Sequence, residues 1–197
     1  MRFEEARIYI VDRLEKELPA HLFYHNTDHI NDVYEAAERI GKAEKIAGRE
    51  MTLLLTAALF HDSGFISGPR NHEEMSCEIA RTTLPRFDYT GTDLDQICGM
   101  IMATKIPQTP GTHLEMILAD ADLDYLGRDD FFVTGERLYR ELCYFGTLQN
   151  EQEWNMLQLR FLESHQYFTH TAIESRKPKK LQHMEQIKDK INSYRFS

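Results

Sequence analysis

Apolar residues recur at three- and four-residue intervals through almost every segment of this chain, the period of a helix rather than the alternation of a half-buried strand. Ile8, Ile10, Val11 and Leu14 pattern a first helix over 3–18, closed by Leu18-Pro19. A second starts near Asn26, Thr27 or Asp28, each able to cap it, and runs through Ile30, Val33, Ala37 and Ile40 to about 47. A third covers about 50–62 and stops at Ser63-Gly64. The same period predicts helices over 72–84, 92–104, 113–127, 129–146, 150–165 and 176–194. "SGFISGPRN" reads as a loop by its Gly and Pro content, while "FHDSGFI" is too short to assign to strand or loop. The expectation is an all-α bundle of about eight helices forming a single domain over 1–197. Its core would lie at about 20–128, with a C-terminal helical extension at about 129–197 packed on it.

Charge narrows the partners. The chain carries a net charge of -9 with His neutral, and no basic stripe follows any expected helix face. "SRKPKK", residues 175–180, is the only dense positive cluster and reads as a solvated helix junction. Duplex nucleic acid is therefore not an expected partner. The opening "MRFEEARIYIVDRLEKEL" has no apolar stretch of the kind a signal peptide needs. No window approaches ~18 uninterrupted apolar residues, so no membrane association is expected either. Cys77, Cys98 and Cys143 are odd in number and set in helical patterns, as reduced core thiols of a cytoplasmic protein would be. The acidic surface and the C-terminal helices are compatible with a homodimer.

The chemistry-bearing residues lie where an apolar pattern is interrupted. In "LLLTAALFHDSG", residues 53–64, mostly apolar helix formers run straight into His61 and Asp62. "ILADADLDYLG" sets Asp120, Asp122 and Asp124 at two-residue intervals in another apolar segment, and "YHNTDHI" holds His25 and His29. An ionised carboxylate on an apolar segment is costly unless it is paired or coordinates a cation. One His from the second helix, the His-Asp pair from the third and an Asp from a later helix could converge in a bundle core. Neutral imidazoles with carboxylates suit Mn, Fe, Co, Ni or Zn, and a mixed set with open positions suits a metal that activates water.

The order His29, His61-Asp62, Asp120 resembles the H…HD…D signature of the HD-domain superfamily of metal-dependent phosphohydrolases. It is most similar to a branch with "YHN..H", "FHD", a stretch like "NHEEMS" and "DADL..LG", all present here in that order, and the tail "FLESHQYFTHTAIESR" resembles that branch as well. The resemblance implies an HD-domain-like bundle in which His29, His61, Asp62 and one Asp of the "DAD" run hold a divalent transition metal. Asp120 is preferred because "LAD" resembles the way other members enter this helix, and Asp122 is the alternative. One ion is expected rather than two. His72 becomes a ligand only with a second ion, and His113 is expected at the surface.

The implied reaction is hydrolysis of a small phosphorylated compound, a nucleotide being the first candidate. Phosphate release and phosphodiester cleavage are not separated. Asp62 would orient or deprotonate the attacking water, and His25 would meet the phosphate or the leaving-group oxygen. Arg70 and Lys105 are candidates for phosphate contact. No glutamate follows the HD pair closely, so Glu73 or Glu74 would have to replace the one some phosphatases carry there. Two other readings stand beside this one: a non-catalytic module that binds a nucleotide or metal, and a di-iron oxygenase on the same fold.

Overall fold

A computed structural model describes residues 1–194. Nine α-helices and three short 3-10 helices make up the described residues, with no strand among them. The α-helices are α1 Phe3–Glu17, α2 Thr27–Ala43, α3 Gly48–Phe60, α4 His72–Thr83 and α5 Gly91–Ala103, followed by α6 His113–Asp122, α7 Phe131–Tyr144, α8 Glu151–Ser164 and α9 His170–Ser193. "SGFIS" is neither strand nor loop but a 3-10 helix, Ser63–Ser67. Side-chain caps set several starts: Asn26 caps α2, Asn150 caps α8, and Thr90 and Thr112 form capping boxes with Asp93 and Glu115.

α3 is the organising element. Leu53 through Phe60 are all buried, so the helix is apolar all round and needs neighbours on every side. α1, α2, α5 and α6 provide them, and one core joins Ile10 and Leu14 of α1 to Ile30 and Ile40 of α2, Leu54 and Phe60 of α3, and Ile97 and Ile101 of α5. α1 thus packs into this hydrophobic core. A second core gathers Leu123, Tyr125, Phe131, Leu162, Tyr167 and Ile187, and through it the C-terminal helices meet the 3-10 turn Asp124–Gly127.

The "SRKPKK" expectation is corrected. α9 begins at His170 with Thr169 as its cap and continues through Pro178, so the run lies inside a helix rather than at a junction. The ring of Pro178 costs that helix one backbone donor, a loss that tertiary contacts here outweigh. Arg176 donates to both carboxylate oxygens of Asp124 (2.8 and 3.2 Å), and Arg39 of α2 reaches the same group (2.7 Å). Lys180 is buried and donates to the carbonyl of Leu162 (3.0 Å) at the end of α8. These cations hold α2, α8 and α9 together, with Arg39 still partly exposed. Asp124, considered above for the site, is the buried hub of this clamp. Among the described residues, no helix is long and apolar enough to cross a membrane.

Close backbone approach fixes how α9 docks. A Cβ on Gly127 would lie 2.4 Å from the Arg176 carbonyl oxygen. Gly127→Ala is expected to lower the unfolding free energy by about 1–3 kcal/mol, read as a lower urea midpoint at unchanged slope. Gly91→Ala, at the first residue of α5 where a Cβ meets open space, should change stability by no more than about 0.5 kcal/mol.

Candidate metal centre

Three helices each deliver one ligand to a common point. The Asn26 side chain accepts from the backbone N–H of Asp28 (3.0 Å) and of His29 (3.3 Å), which sets the first turn of α2 and turns His29 inward. His61 follows the last residue of α3, and its Nδ1 donates to the Ala58 carbonyl (2.8 Å). That bond fixes the tautomer, so the Nε2 lone pair faces the cluster, as second-shell bonds do at metal-binding imidazoles. Asp122 closes α6. His29 Nε2 lies 3.3 Å from His61 Nε2, and Asp122 Oδ1 lies 3.2 and 3.5 Å from the two nitrogens. These three ligand atoms fall within 4.8 Å of one another.

Asp62 completes the centre. Its Oδ2 sits 3.4 Å from His29 Nε2 and 3.3 Å from His61 Nε2, is fully buried, and makes no hydrogen bond among the described residues. A buried carboxylate oxygen without a donor is costly and rare. A cation among these four groups would meet that need, and two imidazoles with two carboxylates suit a divalent transition metal. The donor set therefore fits the ion that the sequence calls for.

The structure corrects the preferred fourth ligand. Asp120 is wholly buried but accepts from the backbone N–H of Phe168 (2.9 Å) and from both the N–H and the hydroxyl of Thr169 (2.7 Å each). Residues two apart on a helix point roughly 200° apart. With Asp120 turned to the start of α9, Asp122 faces the imidazoles. Burial pushes the Asp120 carboxyl up to about 6 despite its donors. Burial opposes the charge of Asp122 as well, but the His29 and His61 rings hold it down at about 2.

Other expected residues divide into those brought to the centre and those left out. His25 lines the adjoining cavity; its Nδ1 donates to Glu141 and its ring stacks on Phe65 (4.1 Å between centroids). His72 Nε2 approaches the other oxygen of Asp62 (3.5 Å). It is set there by close packing, since a Cβ on Gly64 would lie 2.0 Å from the His72 carbonyl oxygen. Glu73 is buried and lines the cavity, whereas Glu74 pairs with Lys105 at the surface. Lys105 and Arg70 are thus corrected: the first is tied to Glu74, the second is exposed, and neither lines the cavity. His113 is half exposed and pairs with Glu44 (3.2 Å).

Sequence reasoning missed Glu141. It is buried on α7 and accepts from the backbone N–H of Tyr24 (2.8 Å) and His25 (3.1 Å) as well as from the His25 ring. The only signal was its position one turn after Leu138, at the edge of an apolar face.

Electrostatics at the centre set the pH behaviour of metal binding. Burial disfavours the charged imidazole of His29, yet Asp122 and Asp62 leave its pKa raised. At His61 burial is likewise overcome by Asp62 and Asp122, and the pKa stands well above the ordinary value. Both rings must lose their protons to ligate. Metal affinity is therefore expected to fall as pH is lowered, starting above the ordinary imidazole range, with protons released on binding. Calorimetry in two buffers of different ionisation enthalpy measures that release. Asp122→Asn should weaken metal binding by at least about 100-fold, a ligand being worth no less than a second-shell partner. Asp120→Asn should leave affinity within a few-fold and instead cost about 1–3 kcal/mol of stability, through the Thr169 contacts.

No family model and no curated protein matches this chain. Its backbone does match a solved one, the crystal structure of a predicted HD superfamily hydrolase from an uncultured Thermotogales bacterium. The TM-score is 0.63 at 21% sequence identity, over 97% of this chain and 92% of that one. Likeness at that identity speaks for the backbone alone: the chain has an HD-domain-like all-α fold.

Proposed function

We propose that the centre is that of a metal-dependent hydrolase, and that the bond it breaks is a phosphoester of a small compound. The observation that carries this reading is the orphaned Asp62 Oδ2 beside His29, His61 and Asp122, a mixed set of donors opening on a cavity rather than closed by a further side chain. The structural neighbour's description as a hydrolase supports the reaction class. A divalent ion held there supplies Lewis acidity, stabilising charge on a phosphoryl oxygen and making water acidic enough to lose a proton near neutral pH.

The chain's own residues do the rest. His29, His61, Asp62 and Asp122 hold the ion, and the Ala58 carbonyl keeps His61 in the ligating tautomer. Asp62 borders the cavity and orients the attacking water, taking its proton. His25 is oriented by Glu141 at Nδ1, which turns Nε2 away from that partner; carrying a proton on Nε2 as well, it donates that proton to the leaving-group oxygen.

The same carboxylate favours a second reading of nuclearity. Asp62 offers Oδ1 to His72 at 3.5 Å while Oδ2 faces His29 and His61, an arrangement in which a second ion could share it. Metal analysis of the loaded protein decides between one and two equivalents, and only two would leave room for di-iron oxygen chemistry.

The test is to strip the protein of metal and restore Mn²⁺, Co²⁺, Ni²⁺, Zn²⁺, Mg²⁺ or Fe²⁺ singly against phosphomonoesters, phosphodiesters and nucleotides. Turnover should depend on one of these metals and disappear in Asp62→Ala. Tight metal binding with no turnover on any ester would point to a non-catalytic module instead. His25→Gln should lower kcat by about 10²–10⁴ on alkyl esters, whose leaving groups need a proton. On p-nitrophenyl phosphate, whose leaving group needs none, it should do little.

A further inference from the structure

Beyond the metal ligands, the cavity has a composition that the reaction itself does not require. It measures about 230 Å³, at the small end for ligand sites, and runs from Asp62 and Asp122 into the space between α7 and α8. There its wall is Leu138 and Leu142 of α7 with Trp154, Leu157, Phe161 and Leu162 of α8. One neutral amide, Gln158, interrupts that wall.

Among the described residues, no lysine or arginine lines the cavity. Two lysines next to lining residues are engaged elsewhere: Lys105 with Glu74, and Lys180 with carbonyls at the end of α8. The charged groups that do line it are acidic or imidazole: Asp62, Glu73, Asp122, His25 and His72. A polyphosphate chain would place several negative charges there with only the metal to balance them, and an unbalanced buried charge is strongly disfavoured. An apolar group meets no such penalty and gains by leaving water.

We propose that the space between α7 and α8 binds an apolar alkyl or aryl group of the substrate, which carries one phosphoryl head to the metal. The substrate class is then a phosphomonoester of a hydrophobic alcohol or phenol, not a nucleoside di- or triphosphate. This rests on the hydrolase reading for the head group, whereas occupancy of the chamber is measured without turnover.

Trp154 is the only tryptophan of the chain and stands in the chamber wall, so its emission reports occupancy directly. Metal-loaded protein is titrated with methylphosphonate, octylphosphonate and ATP, and also with 1-octanol, which has no charged head. Octylphosphonate should bind at least tenfold more tightly than methylphosphonate and more tightly than ATP, with a change in Trp154 emission that 1-octanol reproduces. Leu142→Asn should erase the tenfold preference while methylphosphonate binding stays. Should that variant fail to fold, Leu138→Phe, which fills the chamber without adding polarity, should block octylphosphonate and 1-octanol while methylphosphonate still binds.

Octyl and methyl probes binding within twofold of each other, with Trp154 silent to 1-octanol, would overturn the proposal, as would ATP binding most tightly. The two readings fail separately. Ester turnover that ignores the alcohol would sink the apolar chamber and leave the hydrolase standing. An octyl preference without turnover of any ester would do the reverse.

Discussion

A carboxylate forced into an apolar interior is the constraint on which the rest of this structure depends. α3 is apolar on every face, and its burial carries His61 and Asp62, the two residues after it, into the middle of the bundle. Asp62 Oδ2 has no hydrogen-bond donor there, and the two imidazoles beside it must be neutral to ligate. Helices α2 and α6 are placed so that His29 and Asp122 converge on that point. Much of the packing can be read as what holds four polar groups together where water would otherwise be needed.

The C-terminal helices are part of the same design rather than an added layer. Glu141 of α7 fixes the loop entering α2 and aims His25, so a residue far along the chain sets the side chain beside the candidate metal ligands. Asp124, held by Arg39 and Arg176, ties α2 to α9. The Asp120 contacts with Thr169 anchor the start of α9 next to Asp122. Three acidic residues of one short run thus face three ways: one docks a helix, one meets the two imidazoles, and one clamps. α7 and α8 also supply an apolar wall of this cavity.

Periodicity was a good guide to the helices because burial of one face repeats with the helix turn. It located α2 through α8 closely, but it began α9 at 176, since "HTAIES" carries little apolar signal and Pro178 argued for a break. The charged run 175–180 was misread for a related reason. Arg and Lys are ordinarily solvated, and nothing local reveals that Asp124 or the end of α8 waits to receive them. Glu141 escaped notice because its partners, the backbone of Tyr24 and His25, are more than a hundred residues away.

The amino-acid sequence by itself determined the all-α class, the helix boundaries over most of the chain, and the residue types available at the centre. Local periodicity and the cost of polar groups on apolar segments are properties of neighbouring residues, so they need no knowledge of the fold. The choice between Asp120 and Asp122, the removal of Lys105 and Arg70 from the site, the support of His25 by Glu141 and the apolar character of the cavity were decided only by tertiary structure. Each depends on which face of a helix is turned toward a partner distant in sequence. That rotation is set by packing of the whole bundle, and two residues on one short helix can look equally suited until α9 and the imidazoles take opposite sides of it.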